Sequence, residues 1–188
     1  RRITGNTASP APCSAIVSRS KNSSAPPAGA PAITCAMRIG YAFRRRCQAS
    51  ALRTMVPRGA GHLLNVSSVA SFQPAPDLAV YAATKAYVTS LTESLHEEVR
   101  GSGVRVTALC PGLTRTEFIS VSNPDGRRTT YPGFMWLDAD AVAAEALADV
   151  SRGRPLSIPG RLYRVLVAIS SVTPRVVARR LSSRVRRD

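Results

Sequence analysis

Residues 62–67, HLLNVS, and residues 104–110, VRVTALC, are the stretches of this chain that decide its fold. Both are short, and the second is mostly apolar and β-branched, which is typical of strands that are buried on both faces of a parallel sheet. Gly101-Ser102-Gly103 ends the segment between them, and Pro111-Gly112 stops the second strand. That segment, residues 81–100, is predicted to be a helix whose core stripe consists of Val88, Leu91, Leu95 and Val99. The sequence therefore predicts a strand–helix–strand unit with parallel strands.

The same alternation continues on both sides of this unit. Residues 49–58 are predicted to be the end of a helix that Gly59-Ala60-Gly61 breaks. Downstream, Asp138 is predicted to cap a helix that continues to Ser151, and residues 156–158 are predicted to form a brief strand. The inward side chains of this second helix are expected to be Val142, Leu147 and Val150. Strands alternating with helices predict the α/β class with a parallel sheet.

The formal charge of +15 is concentrated in the two flanks of the chain. Residues 1–60 hold ten Lys and Arg and no acid, residues 61–160 hold eight basic and ten acidic residues, and residues 161–188 hold eight Arg and one acid. We therefore divide the chain into a basic leader at 1–48, an enzyme-like part at 49–160 and a basic C-terminal helix or tail at 161–188. Because the middle is nearly neutral and the basic stretches lack interleaved aromatic residues, nucleic acid is not an expected partner.

The leader is rich in Ser, Ala and Pro and has only short apolar clusters such as Ala15-Ile16-Val17. Such a segment buries too little apolar surface to offset its ordering entropy, so we expect it to be disordered or irregular. Arg1-Arg2 is not followed by the apolar segment of a signal peptide, and no run of 18 apolar residues predicts a spanning helix. The four cysteines form no CxxC pair and are expected to be free thiols. A cytoplasmic location is therefore expected.

Tyr81 and Lys85, with Ser68 thirteen positions before the tyrosine, are the candidate residues for chemistry. Four residues apart on a helix, the phenol and the ammonium lie on the same face, one turn from each other. A nearby ammonium stabilises a phenolate, which allows a tyrosine to act as a general acid/base near neutral pH. The pattern therefore predicts a proton-transfer site, although each of the three residues alone would more often be structural.

Three segments together resemble the short-chain dehydrogenase/reductase (SDR) family: residues 65–68, NVSS, residues 81–85, YAATK, and residues 111–116, PGLTRT. They come in the order and at the spacing of that family, and the resemblance covers residues 49–160. It implies a partial Rossmann-type, doubly wound parallel sheet. It also implies an NAD(P)-dependent oxidoreductase that transfers a hydride between a carbonyl and an alcohol.

The resemblance implies a role for each site residue. Tyr81 would exchange the proton at the substrate oxygen, Lys85 would support the tyrosine and bind the nicotinamide ribose, and Ser68 would hold the substrate oxygen in line. The hydride would come from the cofactor, NAD or NADP, because no side chain can supply one. The residues in contact with that cofactor would be Tyr81, Lys85, Pro111, Gly112, Thr114 and Thr116. No metal site is expected.

Residues 113–137 would form the variable lid over the substrate. Several large apolar side chains in this segment favour an apolar carbonyl or alcohol substrate: Phe118, Tyr131, Phe134, Met135 and Trp136. The resemblance also leaves a homo-oligomeric state open.

The first sixty residues depart from the pattern of the family. SDR enzymes open with a strand and a Gly-rich TGxxxGxG turn whose backbone amides hold the cofactor pyrophosphate. Here Thr4-Gly5 is followed by no further glycine until Gly29, and the active-site Asn of the family is not matched either. The chain therefore resembles the C-terminal half of the domain, joined to an unrelated or frame-shifted leader. We expect impaired cofactor binding. The alternatives to an active enzyme are an inactive SDR fragment and a basic protein that associates with a membrane or with nucleic acid.

The C-terminal flank has two interpretations. Residues 162–168 are apolar around Arg164, and apolar residues recur between later arginines at Val176, Val177, Leu181 and Val185. This pattern is typical of a basic amphipathic helix on an anionic membrane surface. It also fits a terminal helix that covers the sheet and keeps its arginines in water, which is the interpretation we prefer from the sequence. The membrane surface is therefore the alternative partner of this flank.

Overall fold

The computed structural model describes residues 32–35, 41–116, 131–174 and 176–177, and for residues 32–35 and 41–47 it describes the backbone only. These residues form a four-stranded parallel sheet with helices on both faces. The strands are β1 (Ala32–Cys35), β2 (Gly61–Val66), β3 (Val104–Leu109) and β4 (Leu156–Ser157). The helices are α1 (Tyr41–Arg58), α2 (Ala79–Glu98), α3 (Ala139–Ser151) and α4 (Arg161–Val172).

The sheet has the spatial order β1-β2-β3-β4, so each strand lies beside the next one along the chain. β2 and β3 pair over six residues, from Gly61 opposite Val104 to Val66 opposite Leu109, and α2 connects them. The carboxyl ends of the two strands therefore meet at the same edge. Backbone hydrogen bonds extend the pairing beyond the strands, from Ser67 N to Leu109 O at 2.7 Å. This edge is where the segments with the predicted site residues come together.

Two apolar clusters cover the two faces of the sheet. On one face, side chains of α1 and of the end of α2 pack on Leu63 and Val106. On the other face, α3 packs on Leu64 and Leu109. Because both faces are covered, the inner strands need apolar residues at consecutive positions. The structure confirms the α/β class and the doubly wound parallel sheet.

The structure places two elements inside the stretch that the sequence assigned to an irregular leader. β1 pairs with β2 in parallel, with Ile33 opposite Leu63. α1 begins at Tyr41, so the boundary predicted at residue 49 falls inside a helix. No Gly or Pro interrupts the chain between Tyr41 and Pro57, so the helix that the sequence predicted over 49–58 extends further back. The rest of the leader, residues 1–31 and 36–40, lies outside the described residues.

One core prediction for α3 is wrong. Val142 and Val150 are buried as expected, but Leu147 is exposed and Ala146 is the fully buried residue between them. The inward side of α3 therefore follows an i, i+4, i+8 row of Val142, Ala146 and Val150. A small side chain in the middle of this row allows the helix to approach the sheet closely.

α4 does not cover the sheet with its apolar residues, which contradicts the preferred interpretation of the C-terminal flank. Among its twelve residues Tyr163 is the buried one. Several apolar side chains of this helix are exposed instead, from Leu162 to Val172. In the part of the chain that the structure describes, no helix has both the length and the apolar character needed to cross a membrane.

The position of His62 predicts that stability falls in mild acid. Its ring is half-buried at the start of β2, opposite Arg105 on β3. Burial and the positive charge of Arg105 hold the pKa of His62 below its ordinary value of 6.5. The unfolded chain therefore takes up this proton more readily than the folded chain. The stability contributed by neutral His62 is present above pH 6.5 and is lost as the pH falls through the lowered pKa.

Urea unfolding at about pH 7.5 and about pH 5.5, on either side of the ordinary histidine pKa, measures this effect. We expect His62→Gln to lose less stability between the two pH values than the unsubstituted chain. An equal loss in both proteins would assign the acid sensitivity to other groups.

Candidate active site

Ser68 leaves the carboxyl end of β2 and caps a short 3-10 turn at residues 69–72. Its backbone is extended, and its hydroxyl oxygen accepts a hydrogen bond from the N–H of Ala70 at 3.2 Å. The side chain is buried. A hydroxyl has one donor besides its acceptor sites, so the capping bond leaves the O–H of Ser68 able to donate to a ligand oxygen. The turn packs against α2, which carries the other two predicted residues.

Lys85 is the largest fully buried side chain of the described residues, with 2% of its surface exposed. Its ammonium donates a hydrogen bond to the carbonyl oxygen of Val66, the last residue of β2, at 3.0 Å. Burying a charge is costly unless hydrogen bonds compensate it, so this contact fixes where the ammonium lies. α2 therefore holds a positive charge at the carboxyl edge of the sheet.

Tyr81 lies one helical turn before Lys85, as the sequence predicts. The Lys85 Nζ is 5.6 Å from the centroid of the Tyr81 ring, which is within cation–π range. The tyrosine is half-buried, whereas the lysine is buried beneath it. The structure therefore brings the phenol and the ammonium together and places the Ser68 turn against the same helix. The roles that the resemblance assigns to the three residues stay predictions.

A buried polar network fixes α2 against the ends of both strands. The Ser67 hydroxyl donates to the carbonyl oxygen of Lys85 at 2.9 Å and lies 2.6 Å from the Thr89 hydroxyl. Thr89 in turn lies 3.8 Å from the sulfur of Cys110, which follows β3. Burial raises the pKa of the Cys110 thiol, against the opposing effect of the Thr89 hydrogen bond, so this free thiol is neutral at physiological pH. The network thus positions Lys85 through its backbone.

A second buried polar chain was not predicted from the sequence. The Gln48 amide donates to Asn65 Oδ1 at 2.8 Å, and the Asn65 amide donates to the Thr92 hydroxyl at 3.0 Å. Thr92 donates to the carbonyl oxygen of Val88 at 2.6 Å. These bonds connect α1, β2 and α2 beneath the site. The one sequence signal for them is an asparagine inside an otherwise apolar strand, because a buried amide requires partners.

The turn after β3 is fixed to the segment that returns toward α3. Thr114 bridges to Leu137, Arg115 N donates to Leu137 O at 3.0 Å, and Leu137 N donates to Leu113 O at 2.8 Å. The Thr114 hydroxyl bonds within the turn, to Gly112 O at 3.1 Å, while Thr116 is exposed. The two ends of the predicted lid are therefore joined at its base. Residues 117–130, with Phe118, lie outside the described residues.

Tyr163 on α4 supports the turn after β3, a role that was not predicted from the sequence. Its hydroxyl donates to Met135 O at 2.7 Å and accepts from the N–H of Leu113 at 3.0 Å. Burial raises the pKa of Tyr163, while the Leu113 bond opposes that effect. The ring lies so close to Gly112 that a Cβ on this residue would be 2.1 Å from the Tyr163 Cζ. A glycine is therefore required at position 112 by the packing of Tyr163, which lies 51 positions away in the sequence.

A cavity of about 490 Å³ lies beside this site. Its walls are the loop at residues 71–76, alanines on one side of α2, and Ser170 and Thr173 at the end of α4. None of Ser68, Tyr81 and Lys85 lines it, so the cavity is not where these three side chains would act. Within the described ranges, His, Cys, Asp and Glu form no group of three or more that could hold a metal ion.

The family model described as short chain dehydrogenase matches residues 44–126. An uncharacterised oxidoreductase of Staphylococcus aureus (strain USA300) is 36% identical over 83 residues, which are 44% of this chain and 36% of the relative. An uncharacterised oxidoreductase of Myxococcus xanthus (strain DK1622) is 36% identical over 122 residues, 61% of this chain and 46% of the relative. The chain thus spans less than half of the length of these relatives.

Two solved structures are similar in fold. A short-chain dehydrogenase from Sphingobium yanoikuyae, solved in complex with NADPH, has a TM-score of 0.53 and 30% identity, and covers 71% of this chain and 53% of that one. A structure from work on the stereoselectivity of 7beta-hydroxysteroid dehydrogenase has a TM-score of 0.64. The alignment covers 76% of this chain and 55% of that one. Its 22% identity supports the fold alone.

Proposed function

We propose that the protein is an NAD(P)-dependent oxidoreductase that interconverts a carbonyl and an alcohol, because residues 44–126 match the short chain dehydrogenase family model. The observation that carries this proposal is the buried Lys85 ammonium, 5.6 Å from the centre of the half-buried Tyr81 ring. A buried positive charge beside a phenol stabilises the phenolate, which is what proton exchange by a tyrosine requires.

The residues at the carboxyl edge of the sheet fit a nicotinamide cofactor. Ligands of open α/β sheets bind outside the carboxyl ends of the strands, where β2 and β3 end side by side. There, Gly112 lies in the turn after β3, and the Lys85 ammonium and the Thr114 and Thr116 hydroxyls supply polar groups. With Tyr81 and Pro111, these residues would hold the cofactor. When bound, NAD(P)H supplies the hydride that no side chain can provide.

Proton transfer is the part of the reaction that we assign to the side chains. In reduction, Ser68 donates a hydrogen bond to the substrate carbonyl oxygen and Tyr81 Oη donates the proton to the same oxygen. Lys85 stabilises the phenolate that remains on Tyr81. In oxidation, the same phenolate takes the proton from the alcohol. The two directions therefore use one set of residues.

We propose an apolar substrate because of the position of Phe134. This side chain is 75% exposed in the segment after residue 130. The next residue, Met135, is fixed through Tyr163 to Leu113 in the turn after β3. An exposed aromatic ring is thus held near the turn that would contact the nicotinamide. A cytoplasmic location, expected from the sequence, and a homo-oligomeric state stay proposals.

A cofactor titration tests the proposed function against the alternative of an inactive SDR fragment. We expect NADPH or NADH to raise the melting temperature only at about 1–5 mM, since stabilisation grows with ligand concentration over Kd and no pyrophosphate-binding turn is recognised in residues 1–60. Lys85→Met should abolish the shift measured against its own unliganded melting temperature. The control is Arg100→Met. Arg100 lies in the same part of the chain as Lys85, but its cation is exposed and forms an ion pair with Glu97.

The two nucleotides, titrated in parallel, also report the preference for NAD or NADP. Equal shifts in Lys85→Met and Arg100→Met would show binding that does not involve the candidate site. No shift with either nucleotide in the unsubstituted chain would contradict an active enzyme and support the inactive fragment.

A further inference from the structure

The exposed side of α4 is a row of large apolar side chains. Five of them lie 38% to 81% exposed, and we call them the apolar face of α4: Leu162, Val165, Leu166, Ile169 and Val172. Their spacing of three and four residues places them on one side of the helix. Val176 and Val177, just after the helix, are also about half exposed, at 50% and 52%. Contiguous apolar surface of this kind marks an interaction site.

The other side of α4 is fixed to the body of the protein, so the apolar face cannot turn inward. Tyr163 is buried and hydrogen-bonded to Leu113 and Met135. Arg164 donates to the carbonyl oxygen of Ile158 at 3.0 Å and forms an ion pair with Glu145 on α3. Rotating the helix to bury its apolar face would break all of these contacts. The exposure of this face is therefore a consequence of how the helix is held.

The charge around the apolar face indicates what binds there. Residues 161–188 contain eight arginines and a single acid, Asp188, and α4 itself has no acidic residue. On the helix, the exposed Arg161 borders one edge of the apolar face, and the buried Tyr163 borders the other edge. The sequence after α4 adds six more arginines. An apolar helix face in so basic a part of the chain suits a bilayer surface, whose acyl chains are apolar and whose anionic headgroups are negatively charged.

We infer that α4 docks its apolar face into an anionic membrane surface, with the helix axis in the plane of the interface. A second copy of the chain fits this face less well, because residues 161–188 hold eight arginines and one acid in each copy, and like charges repel. Nucleic acid fits less well too, because the exposed strip is apolar rather than basic. This inference goes beyond the proposed oxidoreductase activity and does not depend on it.

Vesicle flotation with the full chain tests the inference. The probes are phosphatidylcholine vesicles with roughly 30% phosphatidylserine, and pure phosphatidylcholine vesicles as the uncharged comparison. We expect the chain to float with the anionic vesicles, to remain unbound with the uncharged ones, and to be released at about 0.5 M NaCl, where screening is strong.

A matched pair of substitutions assigns the binding to α4. Leu166 on α4 and Leu147 on α3 are the same residue type with similar exposure, 44% and 40%. Leu166→Asp should lower the bound fraction roughly tenfold or more, because it removes a buried leucine from the membrane and adds a charge of the wrong sign. Leu147→Asp should bind like the unsubstituted chain. Far-ultraviolet circular dichroism of both variants confirms that each is folded.

Three results would overturn the inference. One is the absence of flotation with anionic vesicles, and another is an equal loss of binding in Leu166→Asp and Leu147→Asp. The third is a lipid-independent dimer in light scattering that Leu166→Asp converts to a monomer, since a second copy would then cover the apolar face.

Discussion

Tyr81→Phe is expected to lower the rate of carbonyl reduction by about 100- to 10,000-fold, the usual contribution of a positioned general acid. The substitution removes one oxygen atom and leaves the ring 5.6 Å from the Lys85 ammonium. The helix and the buried lysine therefore stay in place, and only the proton donor is lost. The measurement is the rate of alcohol formation from a panel of apolar ketones, at the millimolar NADPH concentration at which the titration shows binding.

Tyr87→Phe is the control for this prediction, because it makes the same change on the same helix at a half-buried residue outside the candidate site. It should keep the rate of the unsubstituted chain within about twofold, because the hydroxyl that it removes lies outside the candidate site. Equal losses in the two variants would remove Tyr81 from the role of general acid. If the unsubstituted chain gives no turnover either, the result supports the alternative of an inactive SDR fragment.

The strand–helix–strand core could be predicted because the signals for its strands and helices come from residues that are close together in the sequence. β2 and β3 are short apolar runs that are covered on both faces, and α3 begins where Asp138 accepts hydrogen bonds from the N–H groups of Asp140 and Ala141. Such signals are read from neighbouring residues alone. The pairing of Tyr81 with Lys85 is local in the same sense, since one helical turn separates them.

The surroundings of the site could not be predicted because they depend on contacts between distant residues. Hydropathy assigned the core of α2 to Val88, Leu91, Leu95 and Val99, yet Lys85, Thr89 and Thr92 are more deeply buried than Leu91 and Leu95. Each of these three polar residues is buried because β2 or the segment after it supplies a partner. A hydropathy pattern contains no information about such partners. The contact of Tyr163 with Gly112 is invisible in the sequence for the same reason.

Gly112→Ala is expected to lower the free energy of unfolding by about 3 kcal/mol or more, at the upper end of what overpacking a core costs. The added Cβ would lie 2.1, 2.2 and 2.4 Å from three atoms of the Tyr163 ring. The ring cannot shift easily, because its hydroxyl is hydrogen-bonded on both sides, to Leu113 and Met135. The control is Gly133→Ala, whose Cβ would meet no atom within 4 Å, and which should cost under about 0.5 kcal/mol.

A double-mutant cycle identifies the clash as the cause of the Gly112→Ala loss. Tyr163→Ala alone should destabilise the chain by about 3–5 kcal/mol, since it empties a packed site and leaves two backbone groups unpaired. In that background, Gly112→Ala should cost almost nothing, because the ring it would meet is gone, so the coupling energy approaches about 3 kcal/mol. Urea unfolding followed by circular dichroism measures all four proteins. If Gly112→Ala costs as much without the tyrosine as with it, the glycine is required by its backbone and not by Tyr163.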